Sequence, residues 1–162
     1  MKFVFDHYAL QYMLEQFPRN ITKEFWSQFL AACQDGTIVA HRETRKLLEQ
    51  EAIEPDSLKW CKDNAAFFKA TTEAEAELLG KWMKQGAFNF LETASFVRSR
   101  IPEDIPFMLC MAKKQGRCYV YRKHTNMRLF SKIKAACEKY GITCMEVEAC
   151  LLHLADRRYG EQ

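Results

Sequence analysis

The chain has 162 residues, of which 48% are hydrophobic and 28% charged, and its formal net charge is +3. This size and composition are typical of one globular domain with a substantial core. No apolar run approaches the roughly 20 residues that cross a membrane. The apolar start, Met1 to Phe5, is too short for a signal peptide. We therefore expect a single cytoplasmic domain over residues 1–162 that makes no contact with a membrane.

The first half of the chain alternates short strand patterns with helical ones. Phe3–Phe5 predicts a buried strand that stops at Asp6, and residues 8–17 repeat apolar side chains at helical spacing. The remaining patterns predict a helix from Thr22 to about Gly36, a strand over 37–40 and a helix over 42–52.

The second half continues this alternation. Asp56 or Ser57 is predicted to cap a helix through Cys61, and Thr72 opens another whose first turn is acidic. Residues 86–101 give no clear pattern, and Pro102 and Pro106 bracket a predicted turn. A helix over 107–114, a strand at Cys118–Tyr121, a helix over 132–140, a short strand at 142–144 and a closing helix over 146–157 follow. This order predicts an α/β fold with a short, mostly parallel central sheet flanked by helices.

The cysteines are expected to be free thiols. The chain has seven, none in a CxxC pair and none at zinc-finger spacing from a histidine. They are therefore interpreted as small buried hydrophobic residues rather than metal ligands.

Basic charge is concentrated in one segment. Between Asp104 and Glu138 the chain contains no Asp or Glu. A field of one sign attracts polyanions, of which nucleic acid is the commonest, whereas the simpler alternative is a solvated basic face. The residues predicted to bind nucleic acid are Lys113, Lys114, Arg117, Arg122, Lys123, His124, Arg128 and Lys132.

Stretches spread over nearly the whole chain resemble the PIN-domain ribonucleases, and among them a PIN-like group of bacterial toxin–antitoxin toxins. The matching stretches are FVFDHYAL, EFWSQFLAACQDGTIVAH, LKWCKDNAAFF, IPFMLCMAKKQGRCYVY and KIKAACEKYGITCMEVEACLLHL. The resemblance implies a nuclease site in which three or four carboxylates at the carboxyl ends of a parallel sheet hold Mg²⁺ or Mn²⁺. It also favours a two-fold homodimer.

Most of the acids that this resemblance implies are missing. Asp6 occupies the first position, at the end of the first strand. Leu47 stands at the second, Ile105 at the third with Asp104 one residue early, and Lys123 at the fourth. Since Mg²⁺ requires about six oxygen ligands, Asp6 alone would bind it weakly. We therefore expect a degenerate PIN-like protein without a metal cofactor. It would bind RNA or a cognate protein partner, in a toxin–antitoxin or defence system.

Two alternatives remain open. In the first, the protein is an active Mg²⁺- or Mn²⁺-dependent ribonuclease whose catalytic acids are Asp6 with the displaced Glu43 and Asp104. Glu43 lies four residues before Leu47 and thus on the same helical face. In the second, the domain contacts only protein. His7, directly after Asp6, is either an acid–base group or a hydrogen-bonded residue at a strand end.

Overall fold

The computed structural model describes residues 1–51, 53–94, 103–123 and 127–160. Its centre is a five-stranded sheet in which every strand pair is parallel, in the order β3-β2-β1-β4-β5. The strands are β1 (Phe3–Phe5), β2 (Ile38–His41), β3 (Phe68–Lys69), β4 (Cys118–Tyr121) and β5 (Cys144–Glu146). The chain is therefore a single α/β domain, as its alternating pattern predicts.

Helices connect the strands and cover the sheet. Those in the described residues are α1 (His7–Gln11), which continues as a π-helical turn (Tyr12–Gln16), α2 (Lys23–Gln34), α3 (Arg42–Gln50), α4 (Pro55–Asp63), α5 (Glu73–Lys84), α6 (Asn89–Ala94), α7 (Ile105–Gln115), α8 (Met127–Tyr140) and α9 (Val147–Gly160). No helix in this part of the chain is long and apolar enough to span a membrane.

The two faces of the sheet have separate cores because side chains alternate along each strand. Phe3 and Phe5 of β1 point to one face, where they pack with residues of α1, α2, α3, α4 and α9. Val4 points to the other, where it packs with residues of α5 to α8. Both faces are thus covered, which explains why the central strands are continuous apolar runs.

Three predicted details were wrong. β3 was missed, since a two-residue strand offers no alternation. The last strand is Cys144–Glu146 rather than 142–144, and α8 begins at Met127 rather than at residue 132. Pro106 lies in the first turn of α7, where its missing N–H costs no hydrogen bond, while Pro102 is outside the described residues. The seven cysteines are free, and six of them are buried, as predicted.

Candidate functional site

The carboxyl end of β1 leads directly into the candidate site. Asp6 follows the strand with extended backbone dihedrals and is the N-cap of α1. Its Oδ1 atom accepts a hydrogen bond from the backbone N–H of Ala9 at 2.8 Å. Its Oδ2 atom accepts one from the hydroxyl group of Tyr119, on the neighbouring strand β4, at 3.2 Å. Both carboxylate oxygens of Asp6 are therefore engaged by the protein itself.

Asp104 reaches the same place from the start of α7. It occupies the N-cap position but makes no capping hydrogen bond with its side chain. Instead its Oδ2 atom accepts hydrogen bonds from the backbone N–H of His7 at 3.1 Å and from the hydroxyl group of Thr44 at 2.9 Å. Its Oδ1 atom lies 3.2 Å from Nδ1 of His7. The carboxylate of Asp104 therefore points into the protein instead of capping α7.

His7 is the first residue of α1, contacts Asp104 at the start of α7, and is almost completely buried, with 1% of its surface exposed. Its ring packs against Tyr8 with the ring centroids 3.8 Å apart. Nε2 lies 3.8 Å from Oε1 of Glu51, whose side chain is 40% exposed. Asp6, His7 and Asp104 form what we call the buried triad.

Burial and mutual charge determine the protonation of the triad. Burial of Asp6, reinforced by the negative charge of Asp104, raises the pKa of the Asp6 carboxyl from 3.8 to about 7. Burial by itself would lower the pKa of His7 and raise that of Asp104. Their attraction and hydrogen bond outweigh it, so the pKa of His7 is raised and that of Asp104 lowered. Both shifts favour the charged forms, an imidazolium facing a carboxylate, and in that pair Nδ1 of His7 donates to Oδ1 of Asp104.

This arrangement does not fit a divalent metal ion. All four carboxylate oxygens of Asp6 and Asp104 already accept hydrogen bonds, and both side chains are fully buried. A Mg²⁺ ion would need about six oxygen ligands and would lie beside a cationic His7. In the portion of the chain that is described, no three His, Cys, Asp or Glu side chains are grouped to hold a metal ion.

The other residues aligned with the expected acids lie apart from these hydrogen bonds. Glu43 pairs with Lys46 at 2.7 Å, one turn along α3, and takes no part in the triad's hydrogen bonds. Leu47 is buried with 4% exposed and Ile105 with 0%. The structure thus brings Asp6 and Asp104 together, while Glu43 belongs to a surface ion pair.

Sequence reasoning missed the donors that satisfy these acids. Thr44 was not singled out, although it lies three and four residues before Leu47 and Leu48 and so shares their inward face. Tyr119 was predicted only as part of the strand Cys118–Tyr121. A polar side chain at an inward position was the signal that could have identified Thr44.

The predicted basic segment is divided between two edges of the sheet. Lys113 and Lys114 end α7, and Arg117 precedes β4, so all three lie at the amino edge, away from the triad. Arg117 donates hydrogen bonds to the carbonyl oxygens of Phe3, Gly36 and Thr37. It thereby joins the start of β1 to the turn before β2. Lys113 and Arg117 also line a cavity of about 220 Å³ at this edge.

Arg122 and Lys123, at the carboxyl edge, are paired with acids. Arg122 forms an ion pair with Glu148 of α9 and covers the ring of Tyr12 at 3.7 Å. Lys123 lies 3.3 Å from Glu146 of β5. Their charges are therefore largely compensated within the protein. His124 lies outside the described residues.

The remaining predicted basic residues, Arg128 and Lys132, belong to α8. This helix and α7 pack on the same face of the sheet. Lys113 Nζ lies next to Gly141 at the end of α8, so the ends of the two helices meet. Lys113, Lys114, Arg128 and Lys134 are exposed and form no ion pair with any described residue. We call the surface formed by Lys113, Lys114, Arg128, Lys132 and Lys134 the α7–α8 basic surface.

The fold and the buried triad define an α/β protein with acidic residues at the carboxyl edge of a parallel sheet. The chain belongs to the family described as a domain of unknown function, DUF4411, whose model matches residues 3–157. No curated protein and no solved structure matches the chain.

Proposed function

We propose that this protein is a degenerate PIN-like domain that has lost metal-dependent nuclease activity and acts by binding RNA. The all-parallel sheet and the position of Asp6 at the end of β1 support the PIN-like assignment. On the basis of the resemblance in sequence, we further propose that the protein acts together with a cognate partner in a toxin–antitoxin or defence system. The same resemblance favours a two-fold homodimer.

We infer the loss of nuclease activity from one observation. Every carboxylate oxygen of the buried triad is occupied by a donor from Ala9, Tyr119, Thr44 or His7 itself. To release these oxygens, the protein would have to leave several buried donors unpaired, at about 1–3 kcal/mol each. The triad therefore stabilises the junction of α1, α3 and α7 instead of holding a metal.

The α7–α8 basic surface supports RNA as the ligand. Lys113 lies beside Gly141 at the end of α8, and α7 carries no acidic residue while α8 carries only Glu138. Cations that pair with no described acid, here Lys113, Lys114, Arg128 and Lys134, can provide the phosphate contacts that dominate nucleic-acid affinity. Because Arg122 and Lys123 are paired with acids, we assign them a smaller contribution than the sequence alone indicates.

RNA binding can be measured by fluorescence anisotropy at low salt, with labelled single-stranded and hairpin RNAs. Lys113→Glu combined with Lys134→Glu should weaken binding at least about tenfold, and should reduce the salt slope by about 1.4, since each single-strand phosphate contact contributes about 0.7. Lys23→Glu combined with Lys62→Glu is the matched control. It makes the same charge change at exposed positions of α2 and α4, on the other face of the sheet.

Equal weakening by both double variants would show only a response to net charge, and would overturn the assignment to this surface. No retention of either RNA by the wild-type chain would make a protein partner the better proposal. Arg122→Glu with Lys123→Glu distinguishes the two edges of the sheet, because we expect a smaller effect from it than from the α7–α8 variant.

An active ribonuclease is the second candidate, favoured by the convergence of Asp6 and Asp104 at one edge of the sheet. It predicts Mn²⁺-dependent RNA cleavage by the wild-type protein that Asp6→Asn or Asp104→Asn abolishes. Glu43→Gln tests whether Glu43 contributes. We expect no cleavage above the background of a purified Asp6→Asn control, and cleavage by the wild type alone would overturn the degenerate reading.

A further inference from the structure

A cavity at the amino edge of the sheet is lined by two cations. It has a volume of about 220 Å³ and lies between the junction of α7 with β4 and the turn from α8 to β5. Lys113 and Arg117 line it, and its described lining residues include no Asp or Glu. One water molecule occupies about 30 Å³ in the liquid. The cavity is therefore large enough for a polyatomic ligand, and its charged lining favours an anion.

Arg117 is held in place at this cavity. Its Nη1 group donates to the carbonyl oxygens of Phe3 at 3.3 Å, Gly36 at 3.2 Å and Thr37 at 3.4 Å, and its Nε group donates to Oε1 of Gln115 at 2.8 Å. Nη2 donates to no described residue. The side chain is half-buried, and burial lowers the pKa of its guanidinium. An anion at Nη2 would therefore gain a charged partner with little loss of side-chain freedom.

Lys113 is the second cation and comes from the last turn of α7. Its Nζ atom lies 3.5 Å from the position that a Cβ atom on Gly141 would occupy, so the ammonium group reaches the end of α8. Gly141 also lines the cavity. Lys113 is exposed and forms no ion pair with a described residue. Its charge is therefore available to a ligand in the cavity.

Two acids of the surrounding elements are already engaged. The charge of Glu75 acts on Arg117, but its Oε1 atom accepts from Nε2 of Gln115 at 2.6 Å and its Oε2 atom from the backbone N–H of Thr72 at 3.1 Å. Asp35 accepts from a backbone N–H in the turn before β2 at 2.8 Å. Neither acid lines the cavity. They reduce the positive field at Arg117 without occupying its Nη2 group.

The helix ends at this edge have hydrogen bonds of their own. α7 and α8 both end beside the cavity, and unpaired carbonyl groups at a helix end disfavour anions. Arg117 N–H donates to the carbonyl oxygen of Ala112 at 3.0 Å, and Ile142 N–H donates to that of Cys137 at 2.8 Å. Lysines in the last turn of α7 offset partial negative charge that remains there. The helix ends therefore do not exclude an anion.

We propose that this cavity binds a terminal phosphate group, free or esterified, with Nη2 of Arg117 and Nζ of Lys113 as donors. Such a group carries close to two negative charges at neutral pH and three acceptor oxygens, so it can pair with both cations at once. Inorganic phosphate, a mononucleotide and the phosphorylated end of an RNA share this chemistry. Lys113 also belongs to the α7–α8 basic surface, so the terminal phosphate of an RNA bound there can reach the cavity.

NMR titration of the full-length protein at low salt tests the cavity with inorganic phosphate and with adenosine monophosphate. We expect saturable shifts of the backbone amide signals of Gly116, Arg117 and Thr143, with a Kd of about 1 mM or lower. Chloride at equal ionic strength is the control and should give no saturable shift. Shifts that do not saturate in the millimolar range, or that chloride reproduces, would overturn the proposal.

Gly116 provides a matched pair of variants. It lines the cavity, has φ +61° and has no atom within 4 Å of an added Cβ. Asn and Asp tolerate this left-handed conformation better than other side chains. Gly116→Asp and Gly116→Asn therefore introduce similar strain and shape but differ by one negative charge. We expect Gly116→Asp to bind phosphate at least about fivefold more weakly than Gly116→Asn. Equal affinities would contradict an anion site.

Lys113→Gln is an independent test at an exposed position, which remains informative if both glycine variants fail to fold. It should weaken phosphate binding at least about fivefold. Lys81→Gln is the matched control, because Lys81 is exposed in the last turn of α5 and does not line the cavity. The same affinity in Lys113→Gln as in Lys81→Gln would also overturn the proposal.

RNAs of one sequence that end in a 5′-phosphate or a 5′-hydroxyl group identify the source of the phosphate. At least about fivefold tighter binding of the phosphorylated RNA, lost in Gly116→Asp and kept in Gly116→Asn, would support the RNA end as the ligand. Equal binding of both RNAs, with saturable binding of inorganic phosphate, would support a free phosphate compound. The titrations with phosphate need no RNA, so failure of the proposed function is distinguishable from failure of this site.

Discussion

Replacing Asp6 with Asn should make the protein more stable, and more so at high pH. The pKa of Asp6 is raised in the folded state, so the folded chain binds more protons than the unfolded chain between the two pKa values. The free energy of unfolding therefore falls as the pH rises from about 4 to about 7. The raised pKa of His7 acts in the same direction above about pH 6.5. The contribution of Asp6 and His7 to stability therefore decreases as the pH rises through neutrality.

The magnitude follows from the pKa of about 7. One unit corresponds to about 1.36 kcal/mol, so ionisation of buried Asp6 costs at most about 4 kcal/mol above pH 7. Asn removes that charge, its Oδ1 can accept from Ala9, and its amide can donate to the hydroxyl oxygen of Tyr119, which then no longer donates at this contact. Asn is also a favourable N-cap. The gain from Asp6→Asn should be about 2–3 kcal/mol larger at pH 8 than at pH 5.

The assay is urea unfolding of both proteins at several pH values, monitored by tryptophan fluorescence. Asp104→Asn is the control, with the same chemical change and the opposite expected sign. Whichever way its amide is turned, the NH₂ group faces either His7 Nδ1 or both the His7 N–H and the Thr44 hydroxyl, and the negative charge opposite His7 is lost. We expect a cost of about 3–5 kcal/mol, as for a broken buried ion pair. A gain from Asp6→Asn that is independent of pH, or a loss at pH 8, would refute this account of the triad.

Three further predictions concern local structure, each measured by thermal and urea unfolding. Thr72→Ala removes the capping box with Glu75 and should cost about 1 kcal/mol, and an unchanged midpoint would contradict it. Gly80→Ala lies within α5 with no atom near the added Cβ, and should stabilise by about 0.5–1 kcal/mol. Gly116→Ala also meets no atom, but its φ of +61° should make the same change destabilising by about 1 kcal/mol. Because neither added Cβ meets another atom, a gain in stability at Gly80 and a loss at Gly116 would show that the difference arises from backbone strain rather than packing.

The sequence was sufficient to predict the fold class because its strongest signals are local. The apolar runs at β1 and β4 are short and bounded by polar or turn residues, and the position of Asp6 at a strand end follows directly from them. β3 is only two residues long, and the periodicity of so short a strand cannot be distinguished from chance.

The contacts of the site could not be predicted in the same way, since they join distant residues. His7 and Asp104 are 97 positions apart, and Thr44 and Asp104 are 60 apart. Only the packing of α1, α3 and α7 at one edge brings them together. For the same reason the basic segment does not form one surface. Between Arg117 and Arg122 the strand β4 carries the chain across the sheet, over about 13 Å at 3.3 Å per residue.

The position of β1 has a consequence for how the chain folds during synthesis. β1 is the central strand, yet its partner β4 is made more than a hundred residues later, and Arg117 reaches back 114 positions to Phe3. One side of β1 can pair with β2 early in synthesis, but its other side stays unpaired until β4 has emerged. Contacts of such long range slow folding and prolong the exposure of apolar segments. We expect the nascent chain to be most prone to aggregation before β4 is released.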